Sequence, residues 1–265
     1  MSTFGVDKNG IIITEVSFDK ITLQFRPIVE NVLNSIIQEF ASQLDGVYLY
    51  GSIPKGKAVE GKSDLDAILV FKDQPTEESL EKTSSLEKRL SEAYDPMLRG
   101  IGLGVTCIDD VCSDKEKYGG MCFMKHLCIC IYGNDVAKNV AGFKPSKEVA
   151  KGFNGDIQQS LEISRSKIKM TSSDHEISKI SQSVAKKILR TGFSLVMPRS
   201  GSWTTDLQTA CDTFVKYYPD KASEMNLALD WSRSDSSDKR TVIEFIDTFG
   251  KWLSEEFQKA ILSNL

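Results

Sequence analysis

The chain of 265 residues, 40% hydrophobic and 26% charged, has the length and composition to bury the core of one large or two ordinary domains, which excludes disorder as the default. A net charge of -4 and a pI near 5.4 argue against nucleic-acid binding through a broad basic surface, because such binding depends on clustered Lys and Arg displacing counterions from phosphates. The N-terminal residues lack a basic end followed by a long apolar run, and no segment nears the ~20 apolar residues that span a bilayer, so the expected location is cytoplasmic with no membrane partner.

In chain order, residues 26–44 place apolar groups at 29, 32, 33, 36, 37, 40 and 44, the spacing of an amphipathic helix. Residues 47–50 and 67–71 are rich in β-branched and aromatic side chains and too short for helices, so they are expected to be neighbouring strands joined by a glycine-rich loop. Residues 76–93 open on Thr-Glu-Glu and predict a second helix, closed before Asp95-Pro96. Third and fourth strands are expected at 102–108 and 127–132, the latter stopped by Gly133-Asn134.

From about residue 144 strand-like runs vanish, and 145–170, 174–197, 203–217, 220–232 and 238–263 each predict a helix. The expected architecture is an α/β (α+β) N-terminal domain with a mixed sheet over residues 1–143, followed by an all-α helical bundle over 144–265. Five of the six cysteines fall in the 24 residues from Cys107 to Cys130, with Cys128 and Cys130 inside an apolar run. That placement predicts reduced core residues and not a zinc site, whose cysteines come in turn-flanked pairs. His126 and His175 have no company for a metal or a triad.

The chemistry concentrates in GSIPKGKAVEGKSDLDAILV, starting at Gly51. On a strand, residues i and i+2 share a face, so Asp64 and Asp66 project together while Leu65 turns to the core. Two adjacent carboxylates repel unless a proton or a cation sits between them, and a hard oxygen-liganded ion such as Mg²⁺ suits two carboxylates plus phosphate oxygens and water. Gly51-Ser52 directly after a strand lets backbone N–H groups and a hydroxyl approach an anion, and Lys55, Lys57 and Lys62 add positive charge. The combination points to a nucleoside triphosphate, although the P-loop pattern is absent.

These residues resemble the signature of the nucleotidyltransferase superfamily related to DNA polymerase β: Gly-Ser, a spacer of eleven residues from Ser52 to Asp64, then Asp-x-Asp flanked by apolar residues. The resemblance is to the small bacterial branch that includes the aminoglycoside adenylyltransferases, whose two-domain plan the helical C-terminal half also matches. It implies that Gly51, Ser52, Lys55, Lys57 and Ser63 hold the phosphates of ATP, and that Asp64 and Asp66 bind Mg²⁺. A hydroxyl of a small polar acceptor, such as an aminoglycoside-like antibiotic, then attacks the α-phosphorus and releases pyrophosphate, a reaction that would serve antibiotic resistance.

The same resemblance implies a third carboxylate on a neighbouring strand, and in its register that position falls on Gly104, with Thr106 one step along the same face. The base then comes from Asp109 or Asp110 at the strand end, from the helical half, or is lacking. In the helical half Arg190 is the candidate to reach phosphate, since a guanidinium binds it bidentately. Trp203 is a candidate to stack on the acceptor and Asp206 to pair with its amines or serve as the missing base, against the plainer expectation that Thr204 or Thr205 caps a helix and Asp206 complements its dipole. Two alternatives stand beside the small acceptor: a protein or RNA acceptor, as in toxin–antitoxin nucleotidyltransferases, and a nucleotide-binding module without transfer.

Overall fold

The computed structural model describes residues 3–234 and 238–263. Residues 13–142 form one compact unit; the segment up to Ile12 and the segment from Phe143 onward form another. This division places the first residues with the helical half, unlike the expected division at 143/144. Contacts of the N-terminal segment explain it: Val6 bridges Ile12, the Ile12 N–H donates to the Phe143 carbonyl at 2.8 Å, and the Trp203 N–H donates to the Phe4 carbonyl at 2.9 Å.

The first unit is built on a four-stranded sheet of order β3-β2-β1-β4. Helix α1 (Arg26–Phe40) leads into β1 (Leu44–Tyr50), which pairs antiparallel with both β2 (Asp64–Phe71) and β4 (Cys128–Gly133), while β3 (Gly100–Cys107) runs parallel to β2. The sheet is therefore mixed. Leu44, which fits the helical spacing, belongs to β1 instead, because α1 closes at Phe40 with the Ala41 N–H on the Ile37 carbonyl.

A parallel pair needs a crossover, and α2 (Glu77–Ala93) supplies it. Its Thr76 cap accepts from the Ser79 N–H at 3.2 Å. From its inner turns Glu87 accepts from the Leu103 N–H at 2.8 Å and Ser91 from the Ile101 N–H at 3.0 Å, so side chains satisfy donors that an edge strand would leave open. Period-2 alternation sends Leu65, Ala67, Leu69 and Phe71 of β2, Val47 and Leu49 of β1, and Ile101 and Leu103 of β3 into one core with Val29, Val32, Ile36 and Phe40 of α1. The opposite face carries Asp64, Asp66, Ile68 and Val70 of β2, with Tyr48 and Tyr50 of β1.

After β3 come the short helices α3 (Ile108–Val111) and α4 (Cys122–Leu127). Cys107, Cys122, Cys128 and Cys211 are buried, as expected of core residues, whereas Cys130 is half-buried and Cys112, which follows the short α3, is exposed; all six are free.

The second unit is helical around α7 (Asp174–Ser200), whose residues from Thr191 to Met197 are all buried, the mark of a central helix. Where one helix is expected over 145–170 there are two, α5 (Lys147–Asn154) and α6 (Ile157–Met170). Gly155 ends the first by donating to the Lys151 carbonyl at 2.7 Å, so close that an added Cβ would lie 2.6 Å from that oxygen. Helix α8 (Leu207–Tyr217) starts later than expected and is capped by Asp206, not by Thr204 or Thr205: the carboxylate accepts from both the N–H and the hydroxyl of Thr209 at 2.8 Å. Helices α9 (Ala222–Trp231), α10 (Lys239–Phe245) and α11 (Lys251–Phe257) complete the unit. No helix among the described residues is long and apolar enough to cross a membrane.

Candidate active site

Strand register assembles the site on the face of the sheet opposite α1. Antiparallel pairing sets Tyr50 beside Asp66 and Cys128 beside Tyr50, and parallel pairing sets Gly102 on the other side of Asp66. One row across the sheet thus reads Gly102, Asp66, Tyr50, Cys128. The next position along β2 toward the loop is Asp64, beside Gly100, and the position away from it is Ile68, beside Gly104.

Both aspartates are half-buried while Leu65 between them is fully buried. Burial first and the Asp64 charge second push the Asp66 carboxyl up to about 6, with Arg99 pulling it back down. Asp64 is held differently. Arg99, from the loop before β3, grips it side-on, Nε to Oδ1 at 2.9 Å and Nη2 to Oδ2, while the Arg99 backbone N–H donates to the Ser63 carbonyl at 3.1 Å. Tyr50 packs edge-on against Phe123 with ring centroids 5.1 Å apart, and burial followed by the Asp66 charge pushes its phenol up to about 12.

The loop after β1 turns at Gly51, where φ is +86° and an added Cβ would stand 2.9 Å from Asp66 Oδ2. Only glycine lets the Gly51-Ser52 backbone come that near the carboxylate. Ile53 is buried as the loop's anchor, and the Lys57 and Gly56 N–H groups fold back onto the Ser52 and Ile53 carbonyls at 3.0 Å. Lys55 lies 3.5 Å from Glu15, and Lys57 is exposed. The Ser63 hydroxyl accepts from the Val59 N–H at 2.9 Å and closes the end of the loop.

Residues 30–115 match the family model described as a nucleotidyltransferase domain. This segment is a nucleotidyltransferase domain. The matched residues run from within α1 to just past α3 and include the loop and both aspartates. Among solved structures the chain is similar to spectinomycin adenyltransferase AAD(9) from Enterococcus faecialis, crystallised with ATP and spectinomycin, at 14% identity and a TM-score of 0.54, covering 88% of this chain and 98% of that one. At that identity the likeness is one of fold, and it extends over the helical half as well. Comparison with curated protein sequences returned no match.

The nucleotidyltransferase domain brings Gly51, Ser52, Ser63, Asp64 and Asp66 to one end of the sheet. It does not bring Asp109 there. Because β3 runs parallel to β2 with Gly100 beside Asp64 and Cys107 beside Phe71, Asp109 lies past the far end of the strand, exposed in α3 and more than about 20 Å from Asp64 at the usual rise per residue. Arg190, Trp203 and Asp206 belong to the helical unit. There the Arg190 side chain is exposed, Trp203 is buried edge-on against Phe153 at 5.5 Å, and Asp206 caps α8.

Two carboxylates on one strand face are hard oxygen donors, and each Asp64 oxygen keeps a lone pair beyond the one Arg99 takes. Among the described residues no group of three or more His, Cys, Asp and Glu could hold a metal ion by itself. The two carboxylates are the kind of donors a divalent cation such as Mg²⁺ would use, since that ion keeps waters and takes further oxygens from substrate phosphates.

Proposed function

We propose that the domain transfers AMP from ATP to a hydroxyl of a small polar acceptor of the aminoglycoside or aminocyclitol kind and releases pyrophosphate, with the nucleotide on the sheet face around Asp64 and Asp66. The observation that carries this reading is the juxtaposition of the Gly51-Ser52 turn with the carboxylate pair, a hydroxyl and backbone donors on one side and two metal-ligating groups on the other. The family match over residues 30–115 and the fold shared with an adenylyltransferase support it.

In this mechanism the Gly51 and Ser52 backbone and the Ser52 hydroxyl bind phosphate oxygens, with Lys57 adding charge from the exposed side of the loop. Asp64 and Asp66 would hold Mg²⁺, which would neutralise charge developing on the phosphates. Asp64 is kept in orientation by Arg99, and Tyr50 walls the site beside Asp66. The acceptor oxygen forms its bond to the α-phosphorus as the bond to pyrophosphate breaks, in line. β3 offers glycines where a third carboxylate would stand, so proton removal from the acceptor falls to groups outside that strand. A cationic acceptor suits the net acidic chain. A cytoplasmic role in antibiotic resistance belongs to the same reading.

The glycine row also favours a second reading, a nucleotide-binding module with little transfer. Incubation with ATP, Mg²⁺ and a panel of amino sugars and aminocyclitols separates the two. Transfer predicts pyrophosphate release with a mass gain of one AMP on an acceptor. Triphosphate binding without release above the level of the Asp64→Asn/Asp66→Asn protein supports the module.

A further inference from the structure

We propose that Arg99 is a resident cation of this centre, so that the site takes one divalent ion with its triphosphate and not two. The proposal rests on the reading of Asp64 and Asp66 as metal ligands, and concerns what else surrounds them.

Arg99 is built in by its backbone. Its N–H donates to the Ser63 carbonyl at 3.1 Å, directly before Asp64, and the preceding Leu98 is buried with its own N–H on the Tyr94 carbonyl at 3.0 Å. Gly100, the next residue, pairs with Asp64 in the parallel register and puts no side chain in the way. The guanidinium can therefore meet Asp64 as a fork, one nitrogen on each oxygen.

The charges follow from these contacts. Two carboxylates and one guanidinium leave a single negative charge, and no third His, Cys, Asp or Glu side chain among the described residues joins them to form a metal group. β3 supplies only glycine beside Asp64, Asp66 and Ile68, and at Gly102 an added Cβ would lie 3.0 Å from Asp66 Oδ1, leaving no room for a side chain unless the carboxylate moves. A two-metal centre needs enough anionic oxygen to hold both ions about 3.5–4 Å apart. Here the side-on fork, made by a side chain that is 59% exposed, already uses one lone pair of each Asp64 oxygen, and a second divalent ion on that carboxylate would face its positive charge at contact range. One ion held by Asp64 and Asp66 would use the lone pairs that remain.

The test counts Mn²⁺ bound to the full-length protein in complex with a non-hydrolysable ATP analogue, by electron paramagnetic resonance and equilibrium dialysis. One Mn²⁺ per nucleotide is expected for the wild type. Arg99→Gln is expected to bind Mn²⁺ at least about tenfold more tightly, and Arg99→Lys, which keeps the charge, to stay near the wild type, so the pair of variants separates charge from folding. Two Mn²⁺ per nucleotide in the wild type, or weaker Mn²⁺ binding by a folded Arg99→Gln protein, overturns the proposal while leaving the aspartates as ligands. If the wild type binds no Mn²⁺ with the nucleotide, or Asp64→Asn/Asp66→Asn binds it equally well, the underlying reading of the site fails with it.

Discussion

Gly102 of β3 stands directly beside Asp66 of β2, so close that a Cβ on the glycine would lie 3.0 Å from the carboxylate Oδ1. The neighbouring strand is thereby shaped to Asp66 by the absence of a side chain. The same strand presents Gly100 and Gly104 to either side, so the carboxylate pair has glycine along its whole β3 flank.

Gly104 is the position of that flank with space. An added Cβ there meets only ordinary contacts, 3.6 Å to the Ala67 carbonyl and 3.7 Å to Ile68. Gly104→Glu is expected to supply a carboxylate able to accept the acceptor's proton and to raise transfer by about 10²-fold or more. Pyrophosphate release under single-turnover conditions reads this directly, and an unchanged rate in a folded variant shows that proton removal does not limit the reaction.

The carboxylates themselves carry the larger expected effect. Asp64→Asn and Asp66→Asn are each expected to lower pyrophosphate release by at least about 10²-fold, the range seen when a charge-stabilising group is removed from a transition state. Circular dichroism must show the fold intact, and comparable rates in the variants would remove both residues from the chemistry.

Gly51→Ala introduces a side chain at φ +86°, where an added Cβ stands 2.9 Å from Asp66 Oδ2. Both the left-handed backbone and the contact are unfavourable, and a loss of about 1–3 kcal/mol is expected. The urea midpoint measures it, and a midpoint equal to that of the wild type would show that the loop relaxes freely.

Asp66 also predicts a pH dependence for the metal-free protein. Its folded value near 6 lies above the ordinary carboxylate value, so the folded state holds the proton more tightly than the unfolded chain. Stability from this group is greatest below about pH 4 and declines as pH rises toward 6, where the carboxylate ionises against burial and Asp64. Asp66→Asn avoids that penalty. It is expected to raise stability by roughly 1–2 kcal/mol at pH 8 and by little at pH 4, with urea titrations at the two pH values showing the difference.

Much of this arrangement is legible in sequence because it is local. Period-2 alternation places Asp64 and Asp66 on one face with Leu65 in the core, and the 3.6-residue spacing of Val29, Val32, Ile36 and Phe40 marks α1. Arg99 escapes such reading. It lies 35 residues from Asp64 and reaches it only through the parallel register of β3, which no local pattern specifies. The same register explains Asp109, which follows the correct strand but at its wrong end. Tyr50 hides for another reason: as the last residue of β1 it reads as an ordinary strand aromatic until pairing sets it beside Asp66. At α8 the competition between Thr204, Thr205 and Asp206 is decided by Asp206, whose carboxylate accepts two hydrogen bonds from Thr209.

The most direct measurement is calorimetric titration of ATP, with and without Mg²⁺, into the wild type and the Asp64→Asn/Asp66→Asn protein. ATP binding is expected to depend on Mg²⁺ in the wild type and to be lost in the double variant. Equal binding by both proteins, or none by the wild type, contradicts the assignment of this sheet face as a nucleotide site.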